Sequence, residues 1–239
     1  MAVFQGFPKE CVQFFAELSR HNRKDWFERH RQDYERFVLE PSRAFIVELG
    51  DCLRTITPNV IADPRTNQSL FRINRDTRFC REKTPYKTHL GLWLWEGVRP
   101  RMECSGYYFQ LDPEGVMLAA GLYQFPPTHL AEYRRSVADA KLGAGLQRVI
   151  LKVESVRGNR VEGEQYKRIP RGFSPDHPRA DLLRYQGLFG SRSLGFPAKL
   201  GTAGFLDLAF EVFRSQEPLH RWLADMVGRL ERGAALPQR

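Results

Sequence analysis

The sequence lacks several features that would place it in a familiar class of protein. No apolar run approaches the roughly 20 residues of a membrane-spanning helix, and the first residues have neither the basic head nor the apolar region of a secretory signal. The sequence therefore predicts a cytoplasmic protein with no membrane partner. The P-loop and the G-x-G-x-x-G, G-x-S-x-G and H-E-x-x-H motifs are also absent, which excludes the best-known nucleotide-binding, serine-hydrolase and metalloprotease motifs.

Cysteine is scarce and scattered. The four cysteines are Cys11, Cys52, Cys80 and Cys104. None forms a C-x-x-C pair and none has a histidine at zinc spacing, so we predict no zinc site. Most are expected to be small buried hydrophobic side chains or idle thiols. For Cys80 the alternative is a nucleophilic role, because cationic neighbours would lower the pKa of its thiol if it faced solvent.

Positive charge is abundant and concentrated. The net charge is +9. From Arg65 to Lys87 there are seven cations against two acids, and from Gln165 to Tyr185 there are five against two. These two basic windows carry eight of the nine excess charges. Charge focused in this way favours a defined anion site over a surface that attracts any polyanion.

Hydrophobic periodicity predicts helices at both ends of the chain and strands between them. The predicted helices are Pro8–His21, one from Asp25 with a capping box to Glu28, one from Pro41 or Ser42, Pro127–Ala138, Leu146–Val153, Phe205–Phe213 and Pro218–Leu230. The predicted strands are Leu70–Asn74, Thr88–Trp95, Tyr107–Leu111 and Val116–Tyr123, with a small hairpin at Val156–Gly163. We therefore predict an α+β fold, with a mainly antiparallel sheet and helical layers from the N- and C-terminal parts. It is expected to be a single domain over residues 1–239 with a frayed tail from about residue 232.

The densest basic stretch runs from Leu70 to Lys87. Its first residues suggest a strand, and Thr84-Pro85 opposes a helix, so Arg75–Glu82 is predicted to be a loop with an Asx turn at Asp76. Arginine stays charged, and its planar fork matches a carboxylate or phosphate. Guanidinium groups this crowded need anions among them. Three readings stay open: a structural network with Asp76, Glu82 or other acids, a bound phosphate or carboxylate, and a nucleic-acid backbone.

The preferred reading is a cleft for an anionic small molecule, formed where the two basic windows meet across a sheet edge. The predicted ligand-binding residues are Arg72, Arg75, Arg78, Lys83 and Lys87, opposite Lys167, Arg168 and Arg171. The ligand would be a phosphate or a polycarboxylate. Whether the protein is an enzyme is left open by the sequence.

Few groups are available for catalysis. The candidates are Asp76, Lys83, Tyr86 and His177. Arginines beside Asp76 should lower its pKa and keep it ionised, which suits an orienting role better than proton transfer. The sequence Asp176-His177-Pro178 is more typical of a turn than of a catalytic dyad. Asp76, Asp176 and His177 would offer oxygen and nitrogen ligands, but the surrounding positive charge opposes a free cation, so we predict no metal and no cofactor.

A competing reading is a nucleic-acid-binding protein, because aromatic side chains beside a basic groove can stack on single-stranded bases. The aromatics near the cations in sequence are Phe79, Tyr86, Trp93, Tyr107 and Tyr108. The alternative for all of them is that they fill the core, as expected also for His89 on its strand. A third reading is a protein-interaction module whose basic face docks on an acidic partner.

The basic stretch also resembles a known family signature. Arg72, Arg75-Asp76 and Arg78-Phe79 keep the family spacing, followed by Lys83 and Tyr86. The pattern is similar to that of the bacterial and fungal domain of unknown function 2461 family. Further matches cover the whole chain: Trp26-Phe27 followed by Tyr34, Gly106-Tyr-Tyr-Phe, Lys167-Arg-Ile-Pro-Arg-Gly-Phe and Asp176-His-Pro. Glu82 stands where family members usually carry Asp or Asn. The resemblance supports the position of the site and implies no activity, substrate or cofactor.

Overall fold

A computed structural model of the chain describes residues 3–78, 83–163 and 165–234. The α-helices are α1 (Lys9–Arg20), α2 (Lys24–Arg29), α3 (Arg31–Asp33), α4 (Glu40–Arg54), α5 (Pro127–Ala138), α6 (Ala140–Glu154) and α7 (Phe205–Ala234). A π-helical segment (Tyr34–Leu39) and two 3-10 turns (Arg101–Glu103 and Leu182–Arg184) complete the helical elements of the described residues. The strands are β1 (Val60–Ile61), β2 (Leu90–Glu96), β3 (Gly106–Asp112), β4 (Gly115–Leu122), β5 (Arg160–Glu162) and β6 (Leu188–Gly195).

Within the described residues the strands form an antiparallel six-stranded sheet in the order β1-β2-β3-β4-β6-β5. Together with helices from the N- and C-terminal parts, this confirms the predicted α+β class. No helix of the described residues has the length and apolar character needed to cross a membrane.

The chain divides into two compact units. Unit 1 comprises residues 1–94, 108–118 and 193–212, and unit 2 comprises residues 95–107, 119–192 and 213–239. Several strands and helix α7 contribute residues to both units. The prediction of a single domain stays a prediction.

The core of unit 1 is rich in phenylalanine. Phe7 stacks on Phe109 with ring centroids 5.2 Å apart, and Phe45 lies 5.2 Å from Phe109 and 5.7 Å from Phe205. Helix α1 adds the apolar stripe that its sequence predicts, with Cys11, Phe14, Phe15 and Leu18 all buried. Burial raises the pKa of the Cys11 thiol to about 12, so this cysteine is an inert core residue.

The core of unit 2 lies among α5, α6 and the C-terminal part of α7. Its buried residues include Tyr133, Val137, Leu146, Val153, Leu219 and Leu223. Helix α6 begins at Ala140, six residues before the predicted start, because the Asp139 carboxylate accepts hydrogen bonds from the backbone N–H groups of Lys141 (2.9 Å) and Leu142 (2.7 Å).

Two local predictions were wrong. Asp25 does not cap α2: the helix begins at Lys24, so the Asp25 carboxylate lies in the first turn and pairs with Arg29 at 3.4 Å. Pro218 does not separate two helices, since it lies inside α7. The helix predicted from Pro41 or Ser42 is present as α4, which begins at Glu40, directly after the π-helical segment.

The predicted hairpin at Val156–Gly163 is also wrong. Its second half forms β5, which pairs with β6 through Arg160 opposite Ser191 and Glu162 opposite Phe189. Strand β6 has no counterpart among the predicted strands. Pairing with a distant segment therefore replaced a local turn.

Candidate functional site

The basic stretch folds as a two-stranded antiparallel ribbon. Asn74 bridges Tyr86, the Arg75 N–H donates to the Pro85 carbonyl (2.8 Å) and the Lys87 N–H donates to the Ile73 carbonyl (2.7 Å). The first strand of this ribbon also lies beside β2, where Leu70 forms an antiparallel bridge with Leu92. We call residues 70–75 and 85–91 the basic ribbon. The described residues between its two strands, 76–78 and 83–84, lie outside helices and strands, as predicted for this segment.

The pairing sorts the side chains onto two faces. Directly opposed residues of an antiparallel pair point to the same side, and neighbours along a strand alternate. Arg75 and Lys87 therefore share one face with Ile73 and Pro85, whereas Tyr86 lies on the other. The Lys87 ammonium lies 5.1 Å from the centre of the Phe71 ring on the adjoining part of the ribbon. We call the side that carries Arg75 and Lys87 the cationic face.

His89 lies beside the cationic face and is half-buried. Burial is the main cause that lowers the pKa of its imidazole, and the positive charges of Lys87 and Arg75 lower it further. Asp112 opposes these effects. Burial and these positive charges therefore disfavour protonation of His89.

A short hydrogen-bonded chain on β3 orients Asp112. The Tyr108 hydroxyl donates to Gln110 Oε1 (2.9 Å), and Gln110 Nε2 donates to Asp112 Oδ2 (2.7 Å). The other oxygen of Asp112 accepts from the backbone N–H groups of Glu114 (2.8 Å) and Gly115 (3.1 Å). These bonds fix the carboxylate at the predicted D-P-E-G turn, where its charge acts on His89.

Gly91 allows aromatic side chains to lie directly on β2. A Cβ at this position would lie 3.2 Å from the Phe71 ring and 3.3 Å from the Tyr108 hydroxyl. Both distances are shorter than ordinary van der Waals contact. Glycine therefore keeps Phe71 and Tyr108 close to the strand, next to the cationic face.

The loop beyond the ribbon neutralises part of its own charge. Arg78 forms a forked ion pair with Asp76, at 2.9 Å from Nε to Oδ1 and 2.6 Å from Nη2 to Oδ2. The predicted Asx turn is present, since Asp76 Oδ1 also accepts from the Arg78 backbone N–H (3.2 Å). Hydrogen bonds from Arg78 are the main cause that holds the pKa of Asp76 well below its usual range, and the charge of Arg72 adds to this. Asp76 is therefore an ionised partner of arginine.

Lys83 of this loop and Arg75 at the end of the ribbon each donate a hydrogen bond to an oxygen atom. Lys83 Nζ donates to the Thr77 carbonyl (2.7 Å), and Arg75 Nη1 donates to Thr84 Oγ1 (2.6 Å). Arg72 is exposed. Residues 79–82 lie outside the described residues, and with them the predictions made for Phe79, Cys80, Arg81 and Glu82.

Tyr86, a predicted catalytic candidate, is 5% exposed and stacks on Phe27 with ring centroids 4.3 Å apart. Burial raises the pKa of its hydroxyl, with a smaller contribution from Glu28. A raised pKa makes the phenol a weaker acid. The geometry gives Tyr86 an anchoring role, and its proposed chemical role stays a prediction.

The second basic window belongs to unit 2, and two of its arginines bind their own chain. Arg179 donates to the carbonyls at the end of α5, with 2.6 Å from Nε to Val137, and Arg184 Nε donates to the Tyr166 carbonyl (2.7 Å). Three further cations of this window are exposed: Lys167, Arg168 and Arg171. His177 Nδ1 accepts from the Arg179 backbone N–H (3.1 Å), which is the turn geometry expected of this segment. The convergence of the two windows stays a prediction.

A second group of polar residues in unit 2 has the connectivity of a nucleophile, a base and an acid. Ser105 Oγ lies 3.0 Å from His220 Nδ1, and His220 Nε2 lies 3.2 Å from Glu96 Oε2. The Glu96 carboxylate only accepts, so Nε2 donates to it, and in the neutral imidazole Nδ1 then accepts from the Ser105 hydroxyl. Ser105 is completely buried and His220 is 1% exposed. No substrate reaches the hydroxyl in this conformation, and the arrangement is a buried structural network.

The described residues contain no group of three or more His, Cys, Asp or Glu side chains arranged to hold a metal ion. The aromatics considered for base stacking are mostly core residues: Trp93 is 6% exposed and Tyr107 is completely buried. Tyr108 is half-buried beside the cationic face.

Sequence reasoning missed three residues of this site. His89 was expected to be a packed strand residue, and neither Gln110 nor Asp112 was considered. The available signal was the spacing of Lys87, His89 and Gly91 at every second residue on the way into β2. The link between His89 and Asp112 joins separate strands, so no local pattern reveals it.

The fold and the site define an α+β protein with a cationic ribbon leading into the second strand of its sheet. The chain belongs to the family described as conserved hypothetical protein (DUF2461), whose family model matches residues 10–222. The basic ribbon lies entirely within the matched region. No curated protein and no solved structure matches the chain.

Proposed function

We propose that the protein binds a small anionic molecule, a phosphate or a carboxylate, on the cationic face of the basic ribbon. The observation that carries this proposal is the placement of Arg75 and Lys87 on one face, beside the half-buried His89 on which both charges act. Charge–charge interactions are stronger at a half-buried position than at the surface, because solvent screens them less there.

The two cations suit complementary parts of one anion. The guanidinium of Arg75 offers a planar fork whose orientation is fixed by Thr84. Lys87 offers a compact charge held near the Phe71 ring. A phosphate or carboxylate group binding both would make charge-assisted hydrogen bonds, which are stronger than neutral ones.

The other predicted ligand-binding residues would act on the anion less directly than Arg75 and Lys87. Arg78 and Lys83 already bind Asp76 and Thr77 and would act mainly through long-range attraction. Arg72, Lys167, Arg168 and Arg171 are exposed cations that would attract the ligand. If the protein is an enzyme on a phosphorylated small molecule, Asp76, Lys83, Tyr86 and His177 are its proposed catalytic candidates.

Isothermal titration calorimetry with a panel of inorganic phosphate, sugar phosphates, nucleotides and di- and tricarboxylates tests the proposal. Arg75→Gln and Lys87→Met should each weaken binding by about 10-fold or more, as expected for loss of a charged hydrogen bond. Lys9→Met and Arg20→Gln remove the same charges from exposed positions of α1 and should have little effect. Wild-type protein that binds no member of the panel would contradict the proposal.

A second candidate function is single-stranded nucleic-acid binding, favoured by the loop after β5. Tyr166 is 41% exposed, the Arg134 guanidinium lies 5.2 Å from its ring centre, and exposed Lys167, Arg168 and Arg171 follow. Exposed aromatic and cationic groups together favour stacking on bases. Oligonucleotide binding with a steep salt dependence, lost in Tyr166→Ala, would support this candidate. A small-molecule site would instead saturate with one ligand.

A further inference from the structure

Arg134 is a half-buried arginine of α5 that has no acidic partner among the residues that the structure describes. Its guanidinium carbon lies 5.2 Å from the centre of the Tyr166 ring. Its Nε–H group is enclosed and donates to no described atom. A buried donor without an acceptor costs free energy, so Arg134 has a hydrogen-bonding capacity that the described part of the fold does not use.

The acids that lie close to Arg134 in sequence bind other groups. Glu132 is 4% exposed, and its carboxylate accepts hydrogen bonds from Arg135 and, at 3.2 Å, from Arg229 Nε. Asp139, just after α5, accepts from two backbone N–H groups at the start of α6. Arg134 therefore keeps its charge next to the Tyr166 ring.

Tyr166 is held in place through its backbone. Its N–H donates to the Arg184 carbonyl (2.8 Å), and its own carbonyl accepts from Arg184 Nε (2.7 Å). Gln165 also forms an antiparallel bridge with Tyr185. These bonds fix Tyr166 and leave it 41% exposed. An aromatic surface that is fixed before binding loses little conformational entropy when a planar ligand packs on it.

We infer that Arg134 and Tyr166 form a site for one nucleotide unit, in which Arg134 binds the phosphate and the base packs on the exposed part of the Tyr166 ring. The inference rests on the second candidate function and names the residues that bind one unit of its ligand. Phosphate oxygens match the side-on pair of donors of a guanidinium, so they supply the acceptor that Arg134 Nε lacks. Every base has a flat π face, so packing on Tyr166 requires no particular sequence.

Arg134 differs from the cations that follow Tyr166. Lys167, Arg168 and Arg171 are exposed, and such side chains attract a polyanion without fixing its position. The Arg134 guanidinium lies over an aromatic ring that is itself fixed, so it determines where one phosphate lies relative to that ring. A free nucleotide and a nucleic-acid strand share this chemistry, and both are used as probes.

The first test compares thymidine 5′-monophosphate with thymidine, which lacks the phosphate, by ligand-detected NMR with the full chain. Wild-type protein should bind the monophosphate about 10-fold more tightly, as expected for a charged hydrogen bond. Arg134→Gln should remove most of this difference and leave the binding of thymidine nearly unchanged. Arg148→Gln removes the same charge from an exposed position of α6 and should preserve the difference.

The second test measures the salt dependence of oligothymidylate binding. Arg134→Gln should weaken binding and reduce the slope of log affinity against log salt by about 0.7, the contribution of one phosphate contact on a single strand. Tyr166→Ala should weaken binding by about 5-fold to 150-fold, as expected for the loss of one stacked base, and leave the slope unchanged. Arg148→Gln should change neither quantity.

A third measurement needs no variant, since a substitution could also disturb the fold. The Nε–H signal of Arg134 in wild-type protein is followed by NMR during each titration. It should shift when thymidine 5′-monophosphate is added and stay in place with thymidine, because only the monophosphate offers Nε an anionic acceptor.

The outcomes separate this inference from the candidate function. Oligothymidylate binding whose affinity and salt slope are unchanged in Arg134→Gln contradicts only the inference. Equal affinity for thymidine and its monophosphate, with an unmoved Arg134 signal, also overturns it. Wild-type protein that binds no oligothymidylate contradicts the nucleic-acid candidate. Phosphate-dependent binding of the monophosphate would then support the inference with a free nucleotide as the ligand, and binding of neither probe would overturn both.

Discussion

Asn22 holds the backbone of Tyr86 with both atoms of its side-chain amide. Asn22 Nδ2 donates to the Tyr86 carbonyl (2.9 Å), and the Tyr86 N–H donates to Asn22 Oδ1 (3.0 Å). These bonds tie the basic ribbon to the turn between α1 and α2. The Tyr86 N–H and carbonyl point away from the other strand of the ribbon, and the Asn22 amide gives them the hydrogen bonds that a neighbouring strand would otherwise provide.

Asn22→Ala should lower the free energy of unfolding by about 1–3 kcal/mol, because both backbone groups of Tyr86 lose their partner. Anion binding should weaken as well, since the ribbon becomes less rigid. Chemical denaturation measures the first effect and calorimetric titration the second. Gln32→Ala removes an amide from an exposed position of α3 and serves as the control. An Asn22→Ala variant as stable as this control would show that the ribbon does not depend on the clamp.

The stability of the protein should depend on the ring of Tyr86 and only slightly on its hydroxyl. Tyr86→Phe keeps the stack on Phe27 and should change the unfolding free energy by less than about 1 kcal/mol. Tyr86→Ala removes a buried aromatic side chain and should cost about 3–5 kcal/mol. Thermal or denaturant unfolding distinguishes the two. If Tyr86→Phe remains stable but fails to turn over or bind a ligand found in the panel, Tyr86 has the chemical role that the sequence suggested.

The Ser105, His220 and Glu96 network should stabilise unit 2 and should not react as a nucleophile. His220→Ala is expected to cost about 2–3 kcal/mol, because it opens a cavity and leaves the buried Ser105 hydroxyl unpaired. In a double-mutant cycle, Ser105→Ala and His220→Ala should show a coupling of about 0.5–3 kcal/mol. A fluorophosphonate probe should leave Ser105 unmodified. Labelling of Ser105 would instead identify an accessible nucleophile.

Acid should destabilise the native protein partly through His89 and His129. Burial is the main cause that lowers the pKa of each imidazole from 6.5 in the folded state. The unfolded chain therefore takes up protons first as the pH falls. Their contribution to stability is complete above about pH 6.5 and is lost as the pH falls from there through the folded-state values.

Unfolding measured from about pH 8 to about pH 4 checks this pH dependence. His89→Gln should show a shallower decline below about pH 6.5 than wild-type protein. Gln32→Ala, which removes no titratable group from an exposed position, should leave the slope unchanged. Identical slopes for His89→Gln and wild-type protein would show that His89 has the same pKa in both states.

Two local patterns predicted their elements correctly. The stripe of Cys11, Phe14 and Leu18 identified α1, and the D-P-E-G turn identified the hairpin of β3 and β4. Both depend on contacts within a few residues. Non-local pairing was not predictable: β5 bonds to β6 instead of closing its own hairpin, and α7 continues through Pro218.

The sequence located the candidate site more reliably than it described its arrangement. The dense arginines marked the ribbon, and the pairing of Arg78 with Asp76 had been one of the open readings. The register that places Arg75 and Lys87 on one face depends on the bridge between Asn74 and Tyr86. This bridge joins two segments through an intervening loop, and Asn22, which bonds to the backbone of Tyr86, lies far away in sequence, so the cationic face could be found only from the fold.

The most direct test of the account is a crystal structure determined after soaking with tungstate, whose anomalous signal locates a bound dianion. We predict tungstate within hydrogen-bond distance of the Arg75 guanidinium and the Lys87 ammonium, close to His89, with the site lost in Arg75→Gln. Tungstate bound only at Lys167, Arg168 and Arg171, or no ordered tungstate in the wild-type protein, would contradict it.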